Sequence, residues 1–202
     1  LGFVDAGNSI EVDGKVLCAD TVDEIRKMTA YVPQDLSLPY DTVEQMVVSL
    51  FELRVNRGVK FSKEDLFADW ALLGLDRGLS EKRVAEISGG QRQRAYIAMV
   101  IAQDTEYVLL DEPTNNLDIY HASNMMRTVR RLCDELGKTV ILVLHEINFA
   151  SFFSDYICAF VDGKIAKFGT VEEVINKETL SEIYKVDFEI IHIDGKPLSV
   201  YY

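Results

Sequence analysis

The run Tyr107-Val108-Leu109-Leu110, closed by the adjacent acids Asp111 and Glu112, limits this chain more than any other segment. It is continuously apolar and too short for a helix, so it reads as a strand buried on both faces, the mark of a parallel sheet. A second run, Thr139 to Leu144, has the same character. Between them Ile119 to Leu136 has helical spacing, Gly137 offers a C-cap, and basic residues gather toward the end, where the helix dipole favours them. Strand, helix and strand in this order make a βαβ unit. Open parallel sheets bind ligands at the carboxyl ends of their strands, where Asp111 and Glu112 stand. One acid there can hold Mg²⁺ while its neighbour positions water, although acids also cap strand ends with no further role.

The rest of the chain is organised around that unit. Ser9 to Val12 alternates and stops at the turn dipeptide Asp13-Gly14, and Met28 to Val32 is a second strand ended by Pro33. From Asp41 to about Ser80, Val43, Met46, Val47, Leu50 and Phe51, then Leu66, Trp70, Leu72 and Leu73, recur at helical spacing and predict an insert of two or three helices. Past the βαβ unit, Tyr156 to Val161 and Lys164 to Phe168 flank Asp162-Gly163 as an antiparallel hairpin. The tail from Val171 to Tyr202 reads as two short helices and two short strands around Asp194-Gly195.

Composition excludes several classes. The 202 residues are 48% hydrophobic and 27% charged, enough for one sizeable core. A net charge of -12 opposes nucleic-acid binding, which needs clustered Lys and Arg against phosphates. Cys18, Cys133 and Cys158 are odd in number and lie in no metal-ligand spacing, so neither a disulfide framework nor a zinc site is expected. No stretch reaches the roughly 18 to 20 apolar residues of a spanning helix, so membrane association is expected through a partner.

Ser88-Gly89-Gly90-Gln91 opens a helix. Ser88 can cap it, two glycines let a ligand approach the backbone, and N–H groups face whatever lies ahead, which is an anion-binding geometry. Taken alone, Ser-Gly-Gly also describes ordinary loop-to-helix joints. Here Gln91-Arg92-Gln93-Arg94 follows, and the acidic strand comes one helix later. In this order the residues resemble the ATP-binding cassette family. Val32-Pro33-Gln34 looks like its Q-loop, and Ile87 to Gln91 like its signature, with Ile for the usual Leu. Tyr107 to Glu112 looks like Walker B, Pro113 to Asp118 like the D-loop, and Val143 to Glu146 like the switch-histidine strand end.

The resemblance covers nearly the whole chain. It implies an α/β fold with a P-loop NTPase-like core of mostly parallel sheet and flanking helices, a helical subdomain and a small antiparallel part. The expected division is a β part and Q-loop at 1–34, a helical subdomain with the signature at 35–95, a catalytic core at 96–170 and C-terminal helices and strands at 171–202. It further implies ATP as substrate with Mg²⁺ held by Asp111 and Gln34, and catalysis by Glu112 as general base, His145 on the γ-phosphate and Gln34. Ser88, Gly89, Gly90 and Gln91 would bind nucleotide in trans, and Asn116, Leu117 and Asp118 would line the interface with a second ATPase subunit. Without the other motifs, His145 would read as merely packed and Gln34 as merely solvated.

The family's phosphate loop, Gly-x-x-x-x-Gly-Lys followed by Ser or Thr, does not occur in the 202 residues. Gly2 to Gly7 has no Lys and is rejected as a degenerate version. The chain is therefore expected to be N-terminally truncated and inactive alone. Asp35 to Ile87 is too short for the long coiled coil of chromosome-maintenance relatives and is transporter-sized. Leu36-Ser37-Leu38-Pro39-Tyr40 could form a wall for a permease helix, or could pack in the core. His145 to Ala150, Ser154-Asp155, Asp162 to Ile165 and Gly169-Thr170 are similar to importers of iron chelates, haem or cobalamin, the ferric-siderophore branch above all. The expected partners are integral membrane permease subunits, a second ATPase subunit and, indirectly, an extracytoplasmic substrate-binding protein, at the cytoplasmic face of the membrane. The alternatives are a soluble non-transport cassette ATPase and a non-catalytic partner that donates its signature in trans.

Overall fold

The computed structural model describes residues 9–34, 40–52, 62–72, 74–115 and 117–201. The Gly2 to Gly7 stretch, Leu36 to Pro39, Leu73 and Asn116 lie outside the described residues, as do the side chains of Leu50, Phe51, Leu66 and Leu72. The chain divides into two compact units between Val143 and Leu144.

The first unit begins with a hairpin, β1 (Glu11–Val12) and β2 (Lys15–Val16), paired antiparallel about Asp13-Gly14. Both turn residues have positive φ, 50° and 75°, which the twist of a two-residue hairpin turn requires. Helix α1 (Val22–Met28) runs directly into β3 (Thr29–Val32). Next come α2 (Val43–Glu52) and α3 (Lys63–Leu72), then α4 (Gly89–Ala102), β4 (Tyr107–Asp111), α5 (Ile119–Asp134) and β5 (Thr139–Val143). Strands β3, β4 and β5 form one parallel sheet in that order. The βαβ unit and the helical insert thus stand where the sequence puts them. Helix α1 escapes a reading by periodicity because only Ile25 of its seven residues is buried.

One face of the sheet carries Ala30, Val32, Val108 and Leu110 into a core completed by Ile97 and Met99 of α4, Met46 and Val47 of α2, Trp70 of α3, and Met125 and Val129 of α5. The other face is different. Burial alternates along β4, and Tyr31, Ile141 and Val143 are 57%, 53% and 48% exposed. The expectation of strands buried on both faces is therefore corrected. An apolar residue at every position signals cover on both sides, but the described residues cover only one.

Helix α5 ends at Asp134 with Glu135 as its C-cap, two residues before the expected Leu136, and Gly137 follows as the left-handed residue of the turn. Its φ is 63°, its N–H bonds to the Cys133 carbonyl, and the Lys138 N–H bonds to that of Leu132.

The second unit holds α6 (Ile147–Phe153), the hairpin β6 (Tyr156–Val161) and β7 (Lys164–Thr170), α7 (Val171–Val174), α8 (Lys177–Tyr184), and the hairpin β8 (Phe188–Ile193) and β9 (Lys196–Tyr201). Both hairpins turn on the Asp-Gly pairs read from the sequence. Val171, Ile175, Leu180 and Phe188 make a small core. Helix α6, which the sequence reading missed, is clamped to β9. The Asn148 Oδ1 accepts from the Ser199 N–H at 2.9 Å and from its hydroxyl at 2.8 Å, and the Ser151 hydroxyl donates to the Pro197 carbonyl.

Two truncations test the one-sided core in these 202 residues. Leu110→Ala empties a buried site and should cost about 3 kcal/mol in urea unfolding. Ile141→Ala on the open face should cost less than about 1 kcal/mol. Equal losses would show that the sheet is covered on both sides.

Candidate functional site

The parallel register decides which side chains meet. Val32 pairs with Leu110 and Asp111 with Val143, so the chain leaves β3 toward Gln34 beside the point where β4 delivers Asp111 and Glu112. Gln34 donates through Nε2 to Glu112 Oε2 at 2.6 Å. Asn115 donates through Nδ2 to the same oxygen at 3.3 Å.

Glu112 reaches these partners because its backbone turns sharply. Its φ is 48°, a left-handed conformation costing roughly 1 kcal/mol or more for a residue with a Cβ. Both of its peptide groups are engaged. The N–H donates to the Val143 carbonyl at 3.2 Å and the carbonyl accepts from the Asn115 N–H at 3.0 Å. One more rung is thus added to the β4–β5 ladder before the chain swings away, and the carboxylate is carried off the strand axis. Strain held in this way at a carboxylate is of the kind found at functional sites.

Asp111 has a partner of its own. The Tyr31 hydroxyl donates to its Oδ2 at 3.1 Å from the neighbouring strand. Partial desolvation first, then that hydrogen bond and the carboxylate's charge, push the Tyr31 phenol above its usual pKa, so it stays a donor.

The Ser88–Gln91 turn is built as a reciprocal capping box. The Gln91 N–H donates to Ser88 Oγ at 3.2 Å, and the Ser88 N–H donates to Gln91 Oε1 at 3.0 Å. These two side chains therefore serve the turn itself. The N–H groups of Gly89 and Gly90 are the ones that the helix start offers to an outside acceptor. The two glycines differ in surroundings. A Cβ on Gly89 would meet nothing within 4 Å, whereas one on Gly90 would meet His121 Cδ2 at 3.5 Å and Leu117 Cδ2 at 3.6 Å.

Asp118 caps α5, with its Oδ1 accepting from the His121 N–H at 2.8 Å. Bonds from His121, the backbone one first and the ring second, hold its carboxyl below the usual carboxylate range. His145 is exposed and follows β5 by two residues in the chain, opening the second unit. Beside it Glu146 caps α6 by accepting from the Phe149 N–H at 2.8 Å.

The structure thus brings together Gln34, Asp111 and Glu112, and separately Ser88 to Gln91 with Leu117 and Asp118. Sequence reasoning missed Tyr31, Asn115 and His121. Tyr31 was open to inference, because the parallel register puts it opposite Leu109, on the same face as Asp111. The reading also passed over Gly137-Lys138-Thr139, the chain's one Gly-Lys-Thr. It is no phosphate loop. Leu132 stands where the pattern needs Gly, the tripeptide follows a helix instead of a strand, and Lys138 Nζ pairs with Asp104 at 2.5 Å.

The capping box generates a stability test. Ser88→Ala should destabilise the protein by about 1 kcal/mol in thermal unfolding, and Ser88→Asp, which keeps a capping oxygen, should lose far less. Equal losses would mean that the box does not hold the turn.

Comparison with known proteins accords with this geometry. The profile of the ABC transporter family matches residues 3–115. The petrobactin import ATP-binding protein FatE of Bacillus anthracis is 53% identical over 123 residues, 61% of this chain and 49% of that protein. The petrobactin import ATP-binding protein YclP of Bacillus subtilis is 39% identical over 194 residues, 96% of this chain and 77% of that protein. The match thus spans about half the length of FatE and about three quarters of YclP. Among solved structures, an inward-facing metal-chelate type ABC transporter shares the fold with a TM-score of 0.75 at 22% identity, covering 87% of this chain and 73% of that one. By its ordered motifs, its fold and these relatives, the chain belongs to the ATP-binding cassette family of transporter ATPases.

Proposed function

We propose that this chain belongs to the subunit that binds and hydrolyses ATP to drive import of a ferric siderophore or a related iron chelate. The observation that carries the reading is Glu112, held in a left-handed turn directly after Asp111 and hydrogen-bonded by Gln34 and Asn115. A carboxylate fixed by two amide donors at a strand's carboxyl end is suited to take a proton from an attacking water. Gln34 and Asn115 orient it, and Tyr31 orients Asp111.

The donor set fits Mg²⁺, a hard cation that takes oxygen ligands from one or two carboxylates and from substrate phosphates. Asp111 and the Gln34 carboxamide oxygen would hold it, and the bound ion supplies neutralisation of phosphate charge. His145 is assigned to the γ-phosphate. Ser88 to Gln91 are assigned to nucleotide held by a second ATPase subunit, reached chiefly through the Gly89 and Gly90 N–H groups. Asn116, Leu117 and Asp118 are assigned to the contact between the two subunits.

The cargo class rests on the relatives, two of which carry petrobactin import in their names. None of the described helices is long and apolar enough to cross a membrane. Attachment to the cytoplasmic face is accordingly assigned to permease subunits, with a substrate-binding protein beyond them.

In an assembled transporter carrying this chain, Glu112→Gln should lower steady-state ATP hydrolysis at least about 100-fold and leave Mg-ATP affinity intact, because it removes the base and no phosphate contact. Unchanged turnover would refute the role. A second measurement concerns the 202 residues themselves, which lack the Gly-x-x-x-x-Gly-Lys cradle. Isothermal titration should find Mg-ATP binding weaker than micromolar, and micromolar affinity would contradict that reading.

A further inference from the structure

Two segments assigned above to face the partner subunit, the signature turn and the Asp118 segment, are linked within this chain by a single side chain. Asp118 Oδ1 takes two donors from His121, the backbone N–H at 2.8 Å and the ring Nδ1 at 2.8 Å. A carboxylate only accepts, so Nδ1 is the protonated nitrogen. The same ring lies against the signature turn, with its Cδ2 3.5 Å from where a Cβ on Gly90 would stand and Leu117 Cδ2 beside it at 3.6 Å. Tyr120 packs edge-on at 5.3 Å between ring centroids.

Helix capping does not explain the ring bond. The backbone N–H of His121 already satisfies the cap, and an exposed ion pair three residues apart adds only a few tenths of a kcal/mol to a helix. What the ring adds is reach, since it bonds the Asp118 carboxylate at one edge and at the other stands 3.5 Å from where a Cβ on the second signature glycine would lie. A Cβ at Gly90 would meet the His121 ring and one at Gly89 would meet nothing within 4 Å, so of the two glycines it is Gly90 whose Cβ direction faces His121.

We propose that His121 is a positioning residue for the half-site donated in trans. Its Nδ1–H and ring edge hold the Asp118 carboxylate and the Gly90 turn in one fixed relation, so that both advance together on nucleotide bound by the partner subunit. This rests on the ATPase reading given above. His121 touches no substrate, and its effect passes through Asp118 and the Gly89 and Gly90 N–H groups.

The test uses an assembled transporter carrying this chain and steady-state Mg-ATP hydrolysis, with thermal unfolding as a control. His121→Leu keeps bulk against Gly90 and loses the donor, and should lower kcat at least about fivefold while KM stays within twofold. His121→Asn, whose amide nitrogen can take the place of Nδ1, should restore kcat to within threefold of the parent. A kcat within twofold for His121→Leu overturns the proposal. So does an Asn variant no better than Leu, because the ring would then be packing only. Should His121→Leu fail to fold, nitrogen NMR of the unsubstituted imidazole at pH 8 decides instead. The Nδ1–H tautomer is expected, and the Nε2–H tautomer overturns the proposal. Glu112→Gln run alongside separates the two ideas: loss of hydrolysis there with normal His121→Leu turnover sinks only the positioning role, whereas retained hydrolysis sinks the ATPase assignment beneath it.

Discussion

The parallel pairing of β3 with β4, Val32 opposite Leu110, governs the placement of the other functional residues in the first unit. It brings Gln34, which leaves one strand, next to Asp111 and Glu112, which leave the other, although they lie far apart in sequence. A slip of one residue would turn Val108 and Leu110 out of the core and separate the carboxylates from Gln34. The buried face forbids that slip. Val32, Val108 and Leu110 are each 2% exposed or less and lock the register against α4 and α5. Stability and site geometry are therefore secured by the same side chains. The alternation of the strand sends one set of residues inward to fix what the other set presents.

How much of this was legible depends on the kind of signal. The βαβ unit, the helical insert and the hairpins about Asp162-Gly163 and Asp194-Gly195 follow from residue type at fixed spacing, and each stands where the sequence places it, whereas the two-residue strand Lys15–Val16 beyond Asp13-Gly14 is too short to show a pattern. Helices α1 and α6 were hidden for a shared reason. They are seven residues each, and each has a single buried residue, so no period emerges. The open face of the sheet was hidden for another. Ile141 and Val143 look like core residues by composition, and only tertiary context shows them uncovered by the described residues. Glu112 was identified by its place after Asp111, but its left-handed backbone was not, because Glu carries none of the preference for positive φ that marks Gly or Asn.

The signature turn illustrates the difference between a motif and its working parts. Among the described residues the same reciprocal device appears at three helix starts: Ser88 with Gln91, Thr42 with Gln45, and Thr170 with Glu173. Two of the three belong to helices with no assigned role in nucleotide chemistry. Ser88 and Gln91 are thus first of all builders of a rigid helix start. The nucleotide contact proposed for this turn would fall to the two glycines between them, whose N–H groups need no side chain to point at an anion.

Charge gives that division a purpose. The chain carries a net charge of -12, and its proposed catalytic corner sets two of its carboxylates side by side, while the substrate assigned to it is a polyanion. Like charges about 4 Å apart repel by about 1 kcal/mol even in bulk water, and by several times that near a protein surface. Such a site must import its positive charge. On the proposed reading, helix N-termini would supply part of it as partial charges on N–H groups, and a divalent ion would supply the rest. Both sources are directional and neither belongs to a mobile side chain, so their worth depends on being held still. The capping box holds one. On the side of the carboxylates, Tyr31 on Asp111 and Gln34 with Asn115 on Glu112 hold the groups that must face the other.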